Sequence, residues 1–234
     1  MKTFQDLQEG LNDPNIFKAF FLAGGPGSGK SFVVRTTTGG TGLRIVNSDD
    51  VFEKYLKDAG LELDMRTRQA EREEEERDKL RGRAKAITKK KEKNYIEGRI
   101  GLIIDGTGKD YDKIAEHSIY LRRLGYDTHM IFVNTSLDVA LERNAKRERS
   151  VRDSVATNSW RAVQSNIGKF SQHFRQNFIV VDNNDADAKD PQIFNDVLRQ
   201  IRRLLRKKVT NPAAKQWVMQ QMKERGITIA PKGF

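Results

Sequence analysis

The chain of 234 residues has no cysteine, which excludes disulfides, thiolate nucleophiles and cysteine-ligated zinc. Its three histidines, His117, His129 and His173, are scattered, so a histidine-built metal site is not expected. No stretch approaches the roughly 18–20 apolar residues of a membrane span. The opening Met1-Lys2-Thr3-Phe4-Gln5-Asp6 puts polar and acidic residues where a signal peptide has its apolar core. The expected location is therefore the cytoplasm. Hydrophobic residues make up 37% and charged residues 32%, a modest core under a wet surface, in one domain or one domain with an appendage. Lys and Arg number 43 against 32 Asp and Glu, a formal net charge of +11. Such an excess attracts polyanions, and a phosphate-handling enzyme and a nucleic-acid binder both fit it.

Short apolar runs alternate with helical stretches. Residues 17–23 read as a buried strand, residues 43–46 as a second, 101–105 as a central one ending in a carboxylate, 129–133 as the next and 177–182 as the last. Between them the pattern predicts a helix from Lys30, one from Asp50 to Ala59 and one from Tyr111 to Leu124. Further helices are expected from Leu137, capped by Thr135-Ser136, and over about 155–170. Residues 64–95 are nearly all charged. The pairs Arg72/Glu76, Glu73/Arg77 and Glu75/Lys79 are four apart and support one long helix, solvated over its first turns. Leu80, Ala84 and Ile87 form its apolar stripe, and disorder in part of it is the competing expectation. Asp190-Pro191 starts a helix with Phe194, Val197, Leu198, Ile201, Leu204 and Leu205 on one face and basic residues on the other. Asn211-Pro212 starts the last helix, which stops at Gly226. The alternation predicts an α/β fold with a largely parallel sheet, ligands lying beyond the carboxyl ends of the strands. Residues 1–190 form the expected main domain, with a lid at about 143–154. Residues 191–234 form a basic helical extension packed on or beside it.

Gly24-Gly25-Pro26-Gly27-Ser28-Gly29-Lys30-Ser31 follows an apolar strand and opens a helix, the full pattern of a phosphate-binding loop. Its glycines turn backbone N–H groups inward and the helix adds its positive end. Lys30 is expected on the β- and γ-phosphates and Ser31 on Mg²⁺; a plain structural turn would not explain Lys30-Ser31. Asp105, at a strand end, is the expected second Mg²⁺-associated carboxylate, with a turn or cap as the plainer role. Asp49, after the second strand, is the candidate base for an acceptor hydroxyl, with helix capping left to Ser48 or Asp50. Arg143 and Arg147 share a helix face in a segment placed as a lid, where cations would cover a moving phosphoryl group.

With these residues the chain resembles the P-loop kinases of the polynucleotide 5′-kinase and zeta-toxin group over roughly residues 17–182. The resemblance implies a three-layer P-loop NTPase fold like that of nucleoside and nucleotide kinases. It places the family's Asn-x-Asp-Asp motif at Asn47-Ser48-Asp49-Asp50, with Asp49 as the base. Its Arg-Asn-x-Lys-Arg lid falls at Arg143 to Arg147, with Arg147 on the transferring phosphate. The family's basic residue three places after the catalytic aspartate, which holds an acceptor phosphate, is replaced by Phe52; stacking of a base on that ring is one substitute. The helix of residues 64–95 is longer than the family implies, and no phosphatase domain follows. A bacteriophage origin, and so a host cytoplasm, is also implied.

The resulting expectation is ATP- and Mg²⁺-dependent phosphoryl transfer to a hydroxyl, with a DNA or RNA 5′ end as acceptor. The alternative acceptor is a nucleoside, nucleotide or nucleotide sugar. A further alternative is a non-catalytic nucleotide-binding protein docking on a larger assembly through helices 64–95 and 191–225.

Overall fold

The apolar runs pair into one sheet. Strands β1 (Lys18–Ala23), β2 (Arg44–Val46), β3 (Leu102–Asp105), β4 (Asp127–Asn134) and β5 (Phe178–Asp182) lie in the order β2-β3-β1-β4-β5, every pair parallel. The structure, a computed structural model, describes residues 10–11, 13–184 and 191–228, with the backbone alone at 36–37 and 191–194. The Met1–Asp6 opening, the Asp190 cap and the Phe194 side chain lie outside the described residues.

β1 is central, and all six of its residues are buried. This is why its sequence is apolar throughout rather than alternating. Its alternate side chains feed two separate cores. Ala19, Phe21 and Ala23 point to one face, where they meet Leu121 of α5 (Tyr111–Arg123), Phe170 and Phe174 of α7 (Asp153–Phe174) and Val218 of α9 (Pro212–Arg225). Phe20 and Leu22 point to the other, against Val33 of α1 (Lys30–Thr38) and Val197, Ile201 and Leu204 of α8 (Pro191–Leu205). The result is the three-layer α/β architecture expected. Each fully buried Phe or Leu contributes about 1.5–3 kcal/mol. The C-terminal helices thus bury their apolar faces on opposite sides of the sheet. Asn211 caps α9 by accepting from Ala213 N, and Gly226 closes it with a φ of 64°.

Helix α2 (Ser48–Asp58) starts two residues before the expected Asp50, because Asn47 takes the capping position and its side chain accepts from Asp49 N. Residues 64–95 differ more. They hold two helices, α3 (Arg68–Arg72), capped by Thr67, and α4 (Glu74–Glu97), which meet at Glu73. There the carboxylate accepts from Gln69 Nε2 at 2.6 Å and Arg77 Nη2 at 2.9 Å. The first turns are docked, since Ala70 and Arg77 are buried. Leu80 and Ala84 pack on Phe52 and Leu56 of α2, but Ile87 is exposed and Thr88 is buried in its place. Leu80, Ala84 and Thr88 are each four apart and follow the face turned toward α2; Ile87 is one residue off it. Helix α6 (Leu137–Ala145) is capped by Ser136 as expected, its side chain accepting from Val139 N.

Candidate active site

The carboxyl ends of β1, β2 and β3 bring the glycine loop, Asn47–Asp50 and Asp105 to one edge of the sheet, with Leu22 opposite Asp105 in the register. In the loop Gly27 and Gly29 have φ of 77° and 83°. A Cβ at Gly27 would collide with the Ala140 carbonyl and one at Gly29 with Asn183 Nδ2, so both glycines are required by conformation and by space. Asn183 Nδ2 donates to Ser28 O at 2.8 Å and its backbone N to Asn134 O at 2.9 Å, tying the loop to the end of β4. Ser28 Oγ is buried and has no hydrogen-bond partner among the described residues, an unsatisfied polar atom within the loop that suits an oxyanion ligand.

Lys30 folds over this loop, Nζ donating to Gly24 O at 2.5 Å. Burial pulls its pKa below the usual lysine value; Asp105 and Asp49 oppose that, while Arg147 and Arg149 add to it. Asp105 is held by Asn47 Nδ2 at 3.1 Å. Burial raises its pKa; Lys30 works against this and the charges of Asp49 and Asp50 reinforce it. The negative charge of Asp49 and Asp50 near Asp105 favours a cation at this edge. The carboxylate of Asp105 and the hydroxyl of Ser31, at the start of α1, are the hard oxygen donors that Mg²⁺ takes alongside water and phosphate.

Asp49 is in the first turn of α2 and is exposed, clasped by a bidentate pair from Arg149, Nη2–Oδ2 3.1 Å and Nη1–Oδ1 3.4 Å. Partial desolvation pushes its carboxyl up, but Arg149, with Lys30 and Arg81, outweighs this and holds the pKa below the usual aspartate value. Arg147 acts on the same centre, its charge reaching Lys30, Asp49 and Asp105. Arg143 lies at the glycine loop, its Nη1 3.8 Å from where a Cβ on Gly29 would stand. Its Nη1 donates to Asn183 O at 2.7 Å beside the glycine loop.

The segment between α6 and α7 reaches over Asp49 and joins the α2–α4 side. Asn144, buried, ties the segment to itself, donating to Val151 O at 2.7 Å and accepting from Val151 N at 3.2 Å. Ser150 Oγ donates to Asp64 Oδ1 at 2.8 Å, Met65 N to Ser150 O at 3.0 Å, and Arg152 pairs with Glu71 at 2.5 Å. Sequence reasoning gave no individual role to Arg149, Asn144, Arg81 or Asn183. Arg149 stood in the basic lid segment without a partner assigned, and that partner is a hundred positions away. Phe52 is buried in the α2–α4 cluster, so it offers no surface to a stacked base.

Lys30, Asp49, Asp105 and Arg147 lie close enough at this edge for their charges to act on one another. Among the described residues no cluster of three metal-binding side chains occurs, and no helix is long and apolar enough to cross a membrane.

None of the curated proteins matches the chain in sequence. Among solved structures, a provisionally assigned kinase from Chloroflexus aurantiacus J-10-fl is similar in fold. It shares 15% identity with a TM-score of 0.54, over 82% of this chain and 97% of that one. A gluconokinase from Sinorhizobium meliloti 1021 aligns at 15% identity with a TM-score of 0.48, over 88% of this chain and 98% of that one. A shikimate kinase from Bacteroides thetaiotaomicron aligns at 14% identity with a TM-score of 0.47, over 80% and 97%. In sequence, the model of the AAA domain matches residues 20–169, from β1 through the glycine loop, Asp49, Asp105 and the arginine segment into α7, and the chain belongs to the AAA domain family.

Proposed function

We propose that the protein transfers the γ-phosphoryl group of ATP to a hydroxyl of a small molecule. The loop Gly24–Ser31 holds the triphosphate through its N–H groups and the N-terminal end of α1. Lys30 lies against the β- and γ-phosphates. Ser31 and Asp105 would hold Mg²⁺, which would neutralise phosphate charge. Asp49 orients the acceptor hydroxyl and takes its proton as the bond to phosphorus forms. Arg147 covers the charge on the transferring oxygens. Arg143, held beside the loop by Asn183, positions α6 rather than meeting the reacting atoms.

The observation that carries the small acceptor is the wall around Asp49. Ser150 on Asp64, Met65 on Ser150, Arg152 on Glu71 and Arg149 on Asp49 join the lid segment to α2, α3 and their linking loop. A polymer end approaching from this side would have to part these contacts, which favours a nucleoside- or sugar-sized acceptor. A polynucleotide 5′ end, the zeta-toxin branch and a phage origin have only the sequence motifs and the +11 charge behind them. For the docking reading, the apolar faces of its helices are already taken up, since Leu80, Ala84, Val197, Ile201, Leu204, Ala214 and Val218 are buried in the protein's own core.

The test is transfer from γ-labelled ATP with Mg²⁺ to nucleosides, nucleotides, polyols, sugar acids and 5′-hydroxyl oligonucleotides offered side by side. Label is expected on a small molecule. Asp49→Ala is expected to lower kcat by about 10²–10⁴-fold and Lys30→Ala to lose ATP-dependent transfer. Label on the oligonucleotide alone overturns the small-acceptor reading, and full activity in both variants overturns the mechanism.

A further inference from the structure

The amino ends of the strands gather a second group of polar side chains, away from the glycine loop. A cavity of about 370 Å³ opens there, within the roughly 300–1,000 Å³ range of small-molecule sites. Asp127 and His129, at the start of β4, and Asn177, in the turn before β5, form its floor. Lys207 and Lys208, from the chain between α8 and α9, form its rim with Gln176 and Thr210. β4 separates this cavity from the catalytic edge. The strand runs eight residues, from Asp127 to Asn134, or roughly 23 Å at about 3.3 Å per residue. A small molecule seated in the cavity cannot meet Lys30 or Asp49.

The charges lining it do not cancel. Its carboxylate, Asp127, is already engaged by Lys18, Nζ to Oδ2 2.6 Å, and Lys18 is 2% exposed. Lys207 and Lys208 are exposed, and neither ammonium group pairs with a carboxylate among the described residues. His129 is buried beneath them, and neither of its ring nitrogens has a hydrogen-bond partner among the described residues. Lys18, Lys207 and Arg122 all disfavour a proton on that ring. Asn177, which works the other way, spends an Nδ2 hydrogen on Thr128 O at 3.2 Å. Lysines just past a helix offset its C-terminal dipole, and that alone would account for Lys207. It does not account for the amides of Gln176 and Asn177 and the buried imidazole, which come from other elements and line the same space. Two ammonium groups attract an oxyanion, and the amide and hydroxyl donors beside them add hydrogen bonds to it. A cation is repelled.

We infer that this cavity is a second binding site, for a small dianion such as a phosphate ester or a dicarboxylate, held by Lys207 and Lys208 with Gln176 and Thr210 beside them. The inference stands apart from the phosphoryl-transfer reading. NMR titration of the full chain tests it, with inorganic phosphate in one arm, succinate in the other and sodium chloride at matched ionic strength as the reference. The ring signals of His129 and the backbone amides of residues 176–177 and 207–210 are expected to move together and to saturate. Phosphate on the glycine loop is read separately, at residues 24–31. Saturation with phosphate alone identifies a phosphate-ester site, with succinate alone a dicarboxylate site, and with both a site that takes either. Replacing both exposed lysines, Lys207→Gln with Lys208→Gln, is expected to weaken this binding by about 10–100-fold. The response of residues 24–31 to phosphate stays as it was. The inference is overturned if neither anion gives a saturable response at the amino edge beyond that of chloride, and equally if the response persists undiminished in the double variant. The comparison of anions on the unaltered protein needs no variant to fold.

Discussion

At Asp49 two opposing effects set the protonation state. Partial desolvation raises the carboxyl pKa, and the bidentate Arg149, helped by Lys30 and Arg81, brings it below the ordinary value. A base held ionised this way stays competent as pH falls, so the acid limb of kcat/KM lies low. Arg149→Gln removes the largest lowering influence and leaves the desolvation. Asp49 then protonates at a higher pH, and activity is lost earlier on acidification. A pH–rate profile of the variant is expected to show its acid limb displaced upward; an unmoved limb would mean that Asp49 is not the titrating base. At this scale the sequence was most legible where chemistry is local. The loop needs Gly27 and Gly29 for its shape, and Lys30-Ser31 for its ligands, within eight consecutive residues. Arg149 and Arg81 were not legible. Their roles depend on Asp49 and Phe52, which lie far away in the chain, and a basic residue in a basic run carries no local mark of its partner.

Among elements, the segment joining α6 to α7 depends on one side chain. Asn144 is 1% exposed and makes both hydrogen bonds to Val151. Replacing it by Ala removes that amide and leaves the Val151 N–H and C=O unpaired, a cost of about 1–3 kcal/mol. Asn144→Ala is expected to lower kcat/KM for the acceptor while ATP affinity holds, and to speed amide exchange across residues 146–152. Unchanged exchange there would show that the lid does not depend on this residue. Strands and most helices followed directly from apolar periodicity and caps such as Ser136 and Asn211. The charged stretch did not, because its break at Glu73 comes from Leu80 and Ala84 docking against α2 while Thr67 starts a separate helix. Charge spacing along one helix contains no information about a neighbouring one.

Unfolding involves the whole sheet, and His129 links it to pH. This residue is buried in β4, its ring stacked on Phe20 with centroids 4.7 Å apart. Burial, reinforced by Lys18, Lys207 and Arg122, pushes its pKa down to about 3. The folded state therefore keeps His129 neutral over a range in which the unfolded chain binds a proton. Its contribution to stability is complete above the unfolded value near 6.5. It declines as pH falls toward 3, by up to about 1.4 kcal/mol per pH unit. His129→Phe is expected to flatten the pH dependence of urea-unfolding stability between pH 7 and 4. Parallel slopes for the two proteins would show that another group is responsible.

By itself the sequence determined the parallel α/β alternation, the phosphate-binding loop and the places of Asp49 just after β2 and Asp105 at the end of β3. Each of these is encoded in runs of a few residues whose backbone preferences and burial are decided locally. Tertiary structure decided which cations meet which carboxylates. It turned Arg149 onto Asp49, laid Arg81 over Phe52 and set Arg143 on Asn183 beside the glycine loop. It also closed the lid against α2 and α3. Such pairings arise only when the sheet order places segments many tens of residues apart at one edge, and charge is felt through space rather than along the chain.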